Sequence, residues 1–117
     1  MSSEVGTRQH WSSITRQIPD SFRLHQNHPN PFNPSTTIGY EVPVQTHVML
    51  RVYDVLGREV ATLVNETKQA GSYTPQWDAS GVSSGVYFCR LEARPTTSEG
   101  RGQGGSFTSV KKLLLLR

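Results

Sequence analysis

The sequence predicts an all-β domain, an antiparallel sandwich of about seven short strands. Three observations carry that expectation. Apolar and polar residues alternate with a period of two in several runs, most clearly at Val48–Val52 and Val86–Ala93. Turn residues separate these runs at intervals near the ~8–12 residues of a sandwich. No run longer than a turn shows a helical period, and the connections are too short for crossover helices, so neighbouring strands should be antiparallel.

Residues 1–19 hold Ser, Thr, Gln and Arg with few apolar anchors, and read as a linker or loosely ordered arm. Residues 20–117 read as the folded domain. Phe22-Arg23-Leu24 opens it as a short strand. The segment Asn27-His28-Pro29-Asn30-Pro31-Phe32-Asn33-Pro34-Ser35 follows, and its closely spaced prolines exclude helix and central strand. Each Asn there can close a local side-chain turn, and Phe32, the single large apolar residue, is expected to plug into the core. The loop reads as a rigid cover for a sheet edge.

Thr36–Val42 is expected as one strand, with Ile38, Tyr40 and Val42 on one face. The chain is organised around the next stretch, Val48–Val64, a hairpin whose turn is set by Asp54 and Gly57. Strand resumes after Arg58-Glu59, at Val60. Asn65–Gly71 is polar and reads as a surface connection. Tyr73–Trp77 alternates, with Pro75 marking an exposed edge strand. Asp78–Gly85 is a compact turn. Val86–Ala93 should bury Tyr87, Cys89, Leu91 and Ala93 on one face. Arg94–Ser106 is low in complexity and reads as a mobile hairpin loop. Phe107–Leu116 is the last strand.

Composition narrows function by exclusion. The chain has 117 residues, enough for one domain with its own core. Its net charge is +3 and its basic residues are scattered apart from Lys111-Lys112, which argues against a nucleic-acid partner. The single cysteine, Cys89, excludes an internal disulfide. No apolar run approaches the length of a membrane-spanning helix. The first 17 residues lack the apolar core of a secretory signal, so the chain is expected either to stay inside the cell or to be the tail of a larger precursor.

No catalytic constellation emerges, and no cofactor is expected. His25 and His28 are loosely spaced, and no other His, Cys or carboxylate stands at a metal-binding interval. Cys89 lies in a half-buried strand without a His partner, and reads as a packed thiol. Asp54 and Asp78 sit at strand ends as turn-closing carboxylates, with no calcium ladder around them. A glycan-binding module competes on composition, because Tyr40, Tyr53, Tyr73, Trp77, Tyr87 and Phe88 would form a stacking platform if they faced solvent. Most of them alternate with polar neighbours as core residues do, which favours core packing.

The block Asn27–Ile38, containing Asn30, Pro31, Phe32, Asn33 and Pro34, resembles the opening of type A C-terminal sorting domains of the type IX secretion system. The resemblance continues through Val52–Val60, with Asp54, Gly57 and Arg58, then Trp77-Asp78-Ala79-Ser80-Gly81 and Ser84-Gly85-Val86-Tyr87-Phe88, and ends at Lys111–Arg117. The immunoglobulin-like domain of flagellar hook-capping scaffold proteins shares parts of the pattern. The resemblance implies a seven-stranded immunoglobulin-like sandwich with no enzymatic activity. It implies an address at the C-terminus of a secreted cargo protein, read by the outer-membrane translocon and its shuttle protein. Removal by a sortase-like protease and attachment to the cell surface, or release, would follow. The recognition element it implies is the terminal strand, here Val110, Lys111, Lys112, Leu113, Leu114, Leu115, Leu116 and Arg117. Cys89 stands where the family has an aromatic residue, and the loop at Pro95–Ser106 is longer than usual.

A strand with an open edge and apolar side chains suits capture by strand addition. The alternating leucines are expected to divide, Leu113 and Leu115 in one role and Leu114 and Leu116 in another. Two other classes compete with sorting: a self-assembling scaffold module associating weakly through strand edges, and a glycan-binding sandwich.

Overall fold

A computed structural model describes residues 18–96 and 105–117. The N-terminal arm up to residue 17 and most of the low-complexity loop lie outside the described residues. Nine strands are present among the described residues: β1 Arg23–Leu24, β2 Ser35–Thr37, β3 Tyr40–Val42, β4 Thr46–Tyr53, β5 Glu59–Lys68, β6 Gly71–Tyr73, β7 Gln76–Asp78, β8 Gly85–Pro95 and β9 Phe107–Leu115. All strand pairs are antiparallel. A four-stranded sheet runs β5-β4-β8-β9, and two smaller sheets, β1-β3-β6 and β2-β7, supply the second layer of a β-sandwich.

The core follows from the period-two pattern. In β4, Thr46, Val48, Leu50 and Val52 are buried while the residues between them are half-buried. Across the ladder, Val48 faces Ala93, Leu50 faces Leu91 and Val52 faces Cys89. One further strand out, Leu113 faces Tyr87. From the opposite layer Leu24, Phe32, Ile38, Tyr40, Val42 and Trp77 complete one continuous cluster. Burying each such large side chain contributes on the order of 1.5–3 kcal/mol. Phe32 is only 3% exposed, as its isolation in a polar loop predicted.

Several element boundaries differ from expectation; Arg94 and Pro95, expected in the loop, end β8 because β4 offers them His47 and Thr46 as partners. Thr36–Val42 is two strands, because its partner contains Pro75. Lacking an N–H, Pro75 cannot continue the ladder, and its carbonyl instead accepts from Ile38 N at 2.9 Å. The ribbon bends there, so β2 pairs β7 and β3 pairs β6, in different sheets. Tyr73–Trp77 divides for the same reason, and the two splits account for the excess over seven strands. Asn65–Lys68 is strand, not loop: it pairs residue by residue with Thr46–Met49. Its polarity reflects an outermost strand on which only Val64 is buried.

The expected hairpin turn is present. Asp54 Oδ1 accepts the backbone N–H groups of Leu56 at 2.9 Å and Arg58 at 3.0 Å, while Arg58 Nε donates to Oδ2 at 2.9 Å. Gly57 takes φ +83°, a left-handed conformation that glycine adopts without a Cβ penalty. The bond from the Arg58 amide holds the Asp54 carboxyl below its ordinary 3.8. The Ser80 amide does the same for Asp78, and Lys68 lowers Glu66. A depressed folded-state pKa stabilises above the unfolded value and loses that contribution as pH falls through the folded one. The melting temperature is therefore expected to drop as pH falls below about 4, with a shallower drop in the Asp54→Asn/Asp78→Asn variant. Equal slopes for variant and parent would refute this.

Candidate functional site

The C-terminal end of β9 is held by residues that lie far from it in sequence. The edge of β9 turned away from β8 is met by the proline loop. Asn30 Oδ1 accepts from Leu114 N at 3.0 Å, Phe32 N donates to Leu114 O at 3.0 Å, and Leu116 N donates to Phe32 O at 3.0 Å. Phe32 and Leu115 thereby form a short parallel bridge. Gln26 Nε2 adds a bond to Lys112 O at 2.7 Å. The expected turn chemistry of the loop holds at Asn27, whose Nδ2 donates to Pro29 O at 3.0 Å and to Thr36 Oγ1 at 2.9 Å. Asn30 does otherwise: it reaches across to the terminal strand. The loop covers a sheet edge, as its composition predicted, and the edge it covers is the chain terminus.

The turn after β7 closes the other side. Ala79 N donates to Pro34 O at 2.9 Å, joining the turn to the proline loop, and Ser80 N donates to Asp78 Oδ1 at 3.0 Å. Arg117 folds back onto this turn. Its backbone N–H donates to Ser84 Oγ at 3.0 Å, and its guanidinium donates to the carbonyls of Ala79 and Val82. Arg117 is thus tied down and not simply solvated. Trp77 sits beneath, against Phe32 at 5.7 Å and Tyr87 at 5.5 Å between ring centroids. Tyr87 Oη donates to Ser83 O at 2.6 Å, fastening the start of β8 to the turn in the manner of a tyrosine corner.

The strand period divides the tail as expected. Leu113 and Leu115 are fully buried, Leu114 is half-buried and Leu116 is 52% exposed. The same alternation separates the basic pair: Lys111 is half-buried on the core side, and Lys112 is exposed on the outer face beside Phe88, its partner across the ladder. Val110 is also on the outer face, 50% exposed. The residues singled out in sequence therefore converge. Asn30–Pro34, Trp77-Asp78, Gly85, Tyr87 and the last residues of the tail, Leu114–Arg117, meet at one end of the sandwich, while Val110 lies farther along β9, opposite Arg90. The hairpin turn of Asp54, Gly57 and Arg58 borders that end across a groove shared with Ser83–Tyr87. The clasp itself gave no local signal, because its partners are 84 residues apart at Asn30 and Leu114.

No group of three His, Cys, Asp or Glu converges among the described residues. His25 bonds Glu41 at 2.9 Å and His47 bonds Asn65 at 3.1 Å. Burial pushes the Cys89 thiol up to about 11, which leaves it protonated and unreactive at neutral pH. Tyr40, Trp77 and Tyr87 are core residues, so the six aromatics do not form a glycan platform. Tyr53 and Phe88, by contrast, are half-buried neighbours on the outer face of the large sheet, opposite the buried faces of their strands.

A protein-family model described as a secretion system C-terminal sorting domain matches residues 27–101. The match takes in the proline loop, the hairpin and the Trp77–Tyr87 segment, and stops before β9. Neither the curated proteins nor the solved structures yield a match.

Proposed function

The chain belongs to the secretion system C-terminal sorting domains, and from that premise we propose that it is the C-terminal address of a larger precursor carried by type IX secretion. The family is a sorting signal and is not enzymatic. In this reading residues 1–19 link an upstream cargo to the sorting domain of residues 20–117. The outer-membrane translocon and its shuttle protein read the tail, a sortase-like protease removes the domain, and the cargo reaches the cell surface or the medium.

The observation that carries the reading is the family match, and the tail geometry is consistent with it. Val110, Lys112 and Leu116 are presented outward from a strand whose alternate leucines are fixed in the core. A receptor can read that face without unfolding the domain. Deleting the tail is a poor test, because it also removes Leu113 and Leu115. The better test fuses the full chain behind a periplasm-directed fluorescent protein in a host with a type IX system. The parent fusion is expected at the surface or in the medium. A Lys111→Ala/Lys112→Ala/Leu116→Ser variant should lose at least about tenfold of that export, the effect of losing an interface anchor. Its melting temperature should stay near the parent's, since no fully buried residue is changed. A folded parent fusion retained in the periplasm would overturn the sorting reading.

A further inference from the structure

The hairpin tip carries two apolar residues that the fold does not use. Asp54 and Gly57 make the turn; Val55 and Leu56 between them are 66% and 73% exposed. Any polar pair would satisfy the backbone there equally well. Isolated exposed apolar residues are ordinary, but these two are not isolated. An open groove of about 310 Å³ runs from Val55 and Gly57 past Tyr53 and Phe88 to Arg90 and Val110. A second groove borders Val55 and Leu56 and reaches Val86. On the outer face of β8 and β9, Val86 lies opposite Leu114, Phe88 opposite Lys112, and Arg90 opposite Val110. The tip is therefore continuous with the outward face of the terminal strand.

We propose that the Val55-Leu56 hairpin tip and the outer face of β9 form one docking surface for a protein partner that presents an apolar patch with a carboxylate at its centre. The inference rests on the sorting reading and extends the recognised surface from the tail to a hairpin more than 50 residues earlier in the chain.

Charge selects this occupant over the alternatives. Within the patch Arg90 is neutralised by Glu92 at 2.9 Å, and Asp54 by Arg58 at 2.9 Å. Lys112, opposite Phe88 and between Val110 and Leu114 on that face, has no carboxylate partner among the described residues, so the surface carries a surplus positive charge. A second copy docking by the same surface would set Lys112 near its own equivalent. The chain's own segment before residue 18, with Arg8, Arg16 and Glu4 as its ionised side chains, has the same sign of charge. A partner carboxylate desolvated against Lys112 and surrounded by apolar contact resolves both terms and gives register as well as attraction.

The test uses the full-chain fluorescent fusion with Val55→Ser/Leu56→Ser, a pair outside the tail, and separately with Lys112→Glu. Both variants are expected to melt with the parent and to lose at least about tenfold of its surface export. Parent export together with parental export of both folded variants would overturn the inference and leave the sorting reading intact. A parent that is not exported would overturn both. Two measurements on the purified chain address the other occupants. Light scattering that shows a dimer abolished by Val55→Ser/Leu56→Ser would assign the surface to a second copy. Co-sedimentation with phosphatidylglycerol vesicles, lost in the same variant, would assign it to a membrane. Either result would overturn a protein partner.

Discussion

Replacing Leu115 by alanine is expected to lower the unfolding free energy by about 2–5 kcal/mol, whereas Leu116→Ala should change it by no more than ~0.5 kcal/mol. The two residues are adjacent and chemically identical, and only the strand period separates them. Leu115 is fully buried, opposite Gly85 of β8, and belongs to the core cluster. Truncating it removes apolar contact and leaves a cavity that its neighbours, held by two layers of sheet, fill only in part. Leu116 lies one residue beyond the strand, half in solvent. Leu113→Ala should resemble Leu115→Ala, and Leu114→Ala should fall between the two classes. Urea unfolding of the four single variants checks this, read as shifts in midpoint at constant slope. Four equal shifts would show that the tail is not registered as described. The expected loss is a large part of the ~5–15 kcal/mol that stabilises a domain of this size. Export defects in tail variants therefore need a fold measurement beside them, since a lost core and a lost address give the same silence at the cell surface.

The parts of this fold legible in sequence were those governed by short-range rules. Val48–Val52 and Val86–Ala93 announced their buried faces through a period of two, and Asp54 with Gly57 announced a turn through hydrogen-bonding capacity and freedom at positive φ. Phe32 belongs to the core because it is the single large apolar residue of its loop. Period-two reasoning failed where the partner strand decided the outcome. Asn65–Lys68 looks like loop on polarity, yet β4 offers it a complete row of backbone partners. Thr36–Val42 looks like one strand, yet Pro75 on the neighbouring strand ends the ladder midway. Alternation also places Tyr53 and Phe88 opposite to Val52 and Cys89, away from the buried faces of their strands, and they lie there half-buried. At the candidate site the tail stands out through the resemblance to sorting domains, and the alternating burial of its leucines through strand geometry. The clasp that holds it joins Asn30 and Phe32 to Leu114 and Leu116, a pairing that depends on how the whole sandwich closes and leaves no pattern in either segment alone.

Phe32→Ala is expected to cost about 3–5 kcal/mol, comparable to the loss of a core leucine, although Phe32 sits in a loop and not in a named strand. Its ring fills the core beside Trp77. Its backbone accepts from Leu116 and donates to Leu114. Asn30→Ala removes only one exposed hydrogen bond and should cost about 0.5–1.5 kcal/mol. The two changes can be told apart by where protection is lost. In Asn30→Ala, hydrogen exchange should accelerate at the Leu114 amide, which points at the missing side chain, while the amides of Leu113 and Leu115, which turn toward β8, keep theirs. In Phe32→Ala the loss should spread to Trp77, Tyr87 and Leu115, because removing the ring opens the cluster that these residues share. A double-mutant cycle between Phe32 and Leu115 should give a coupling of about 0.5–3 kcal/mol, as residues in contact through one cluster do. Additive effects would mean that loop and tail are held independently. Coupling would mean that the proline loop is the element that keeps the terminal strand in the sandwich, so that the outward face of β9 is presented in one fixed register to whatever reads it.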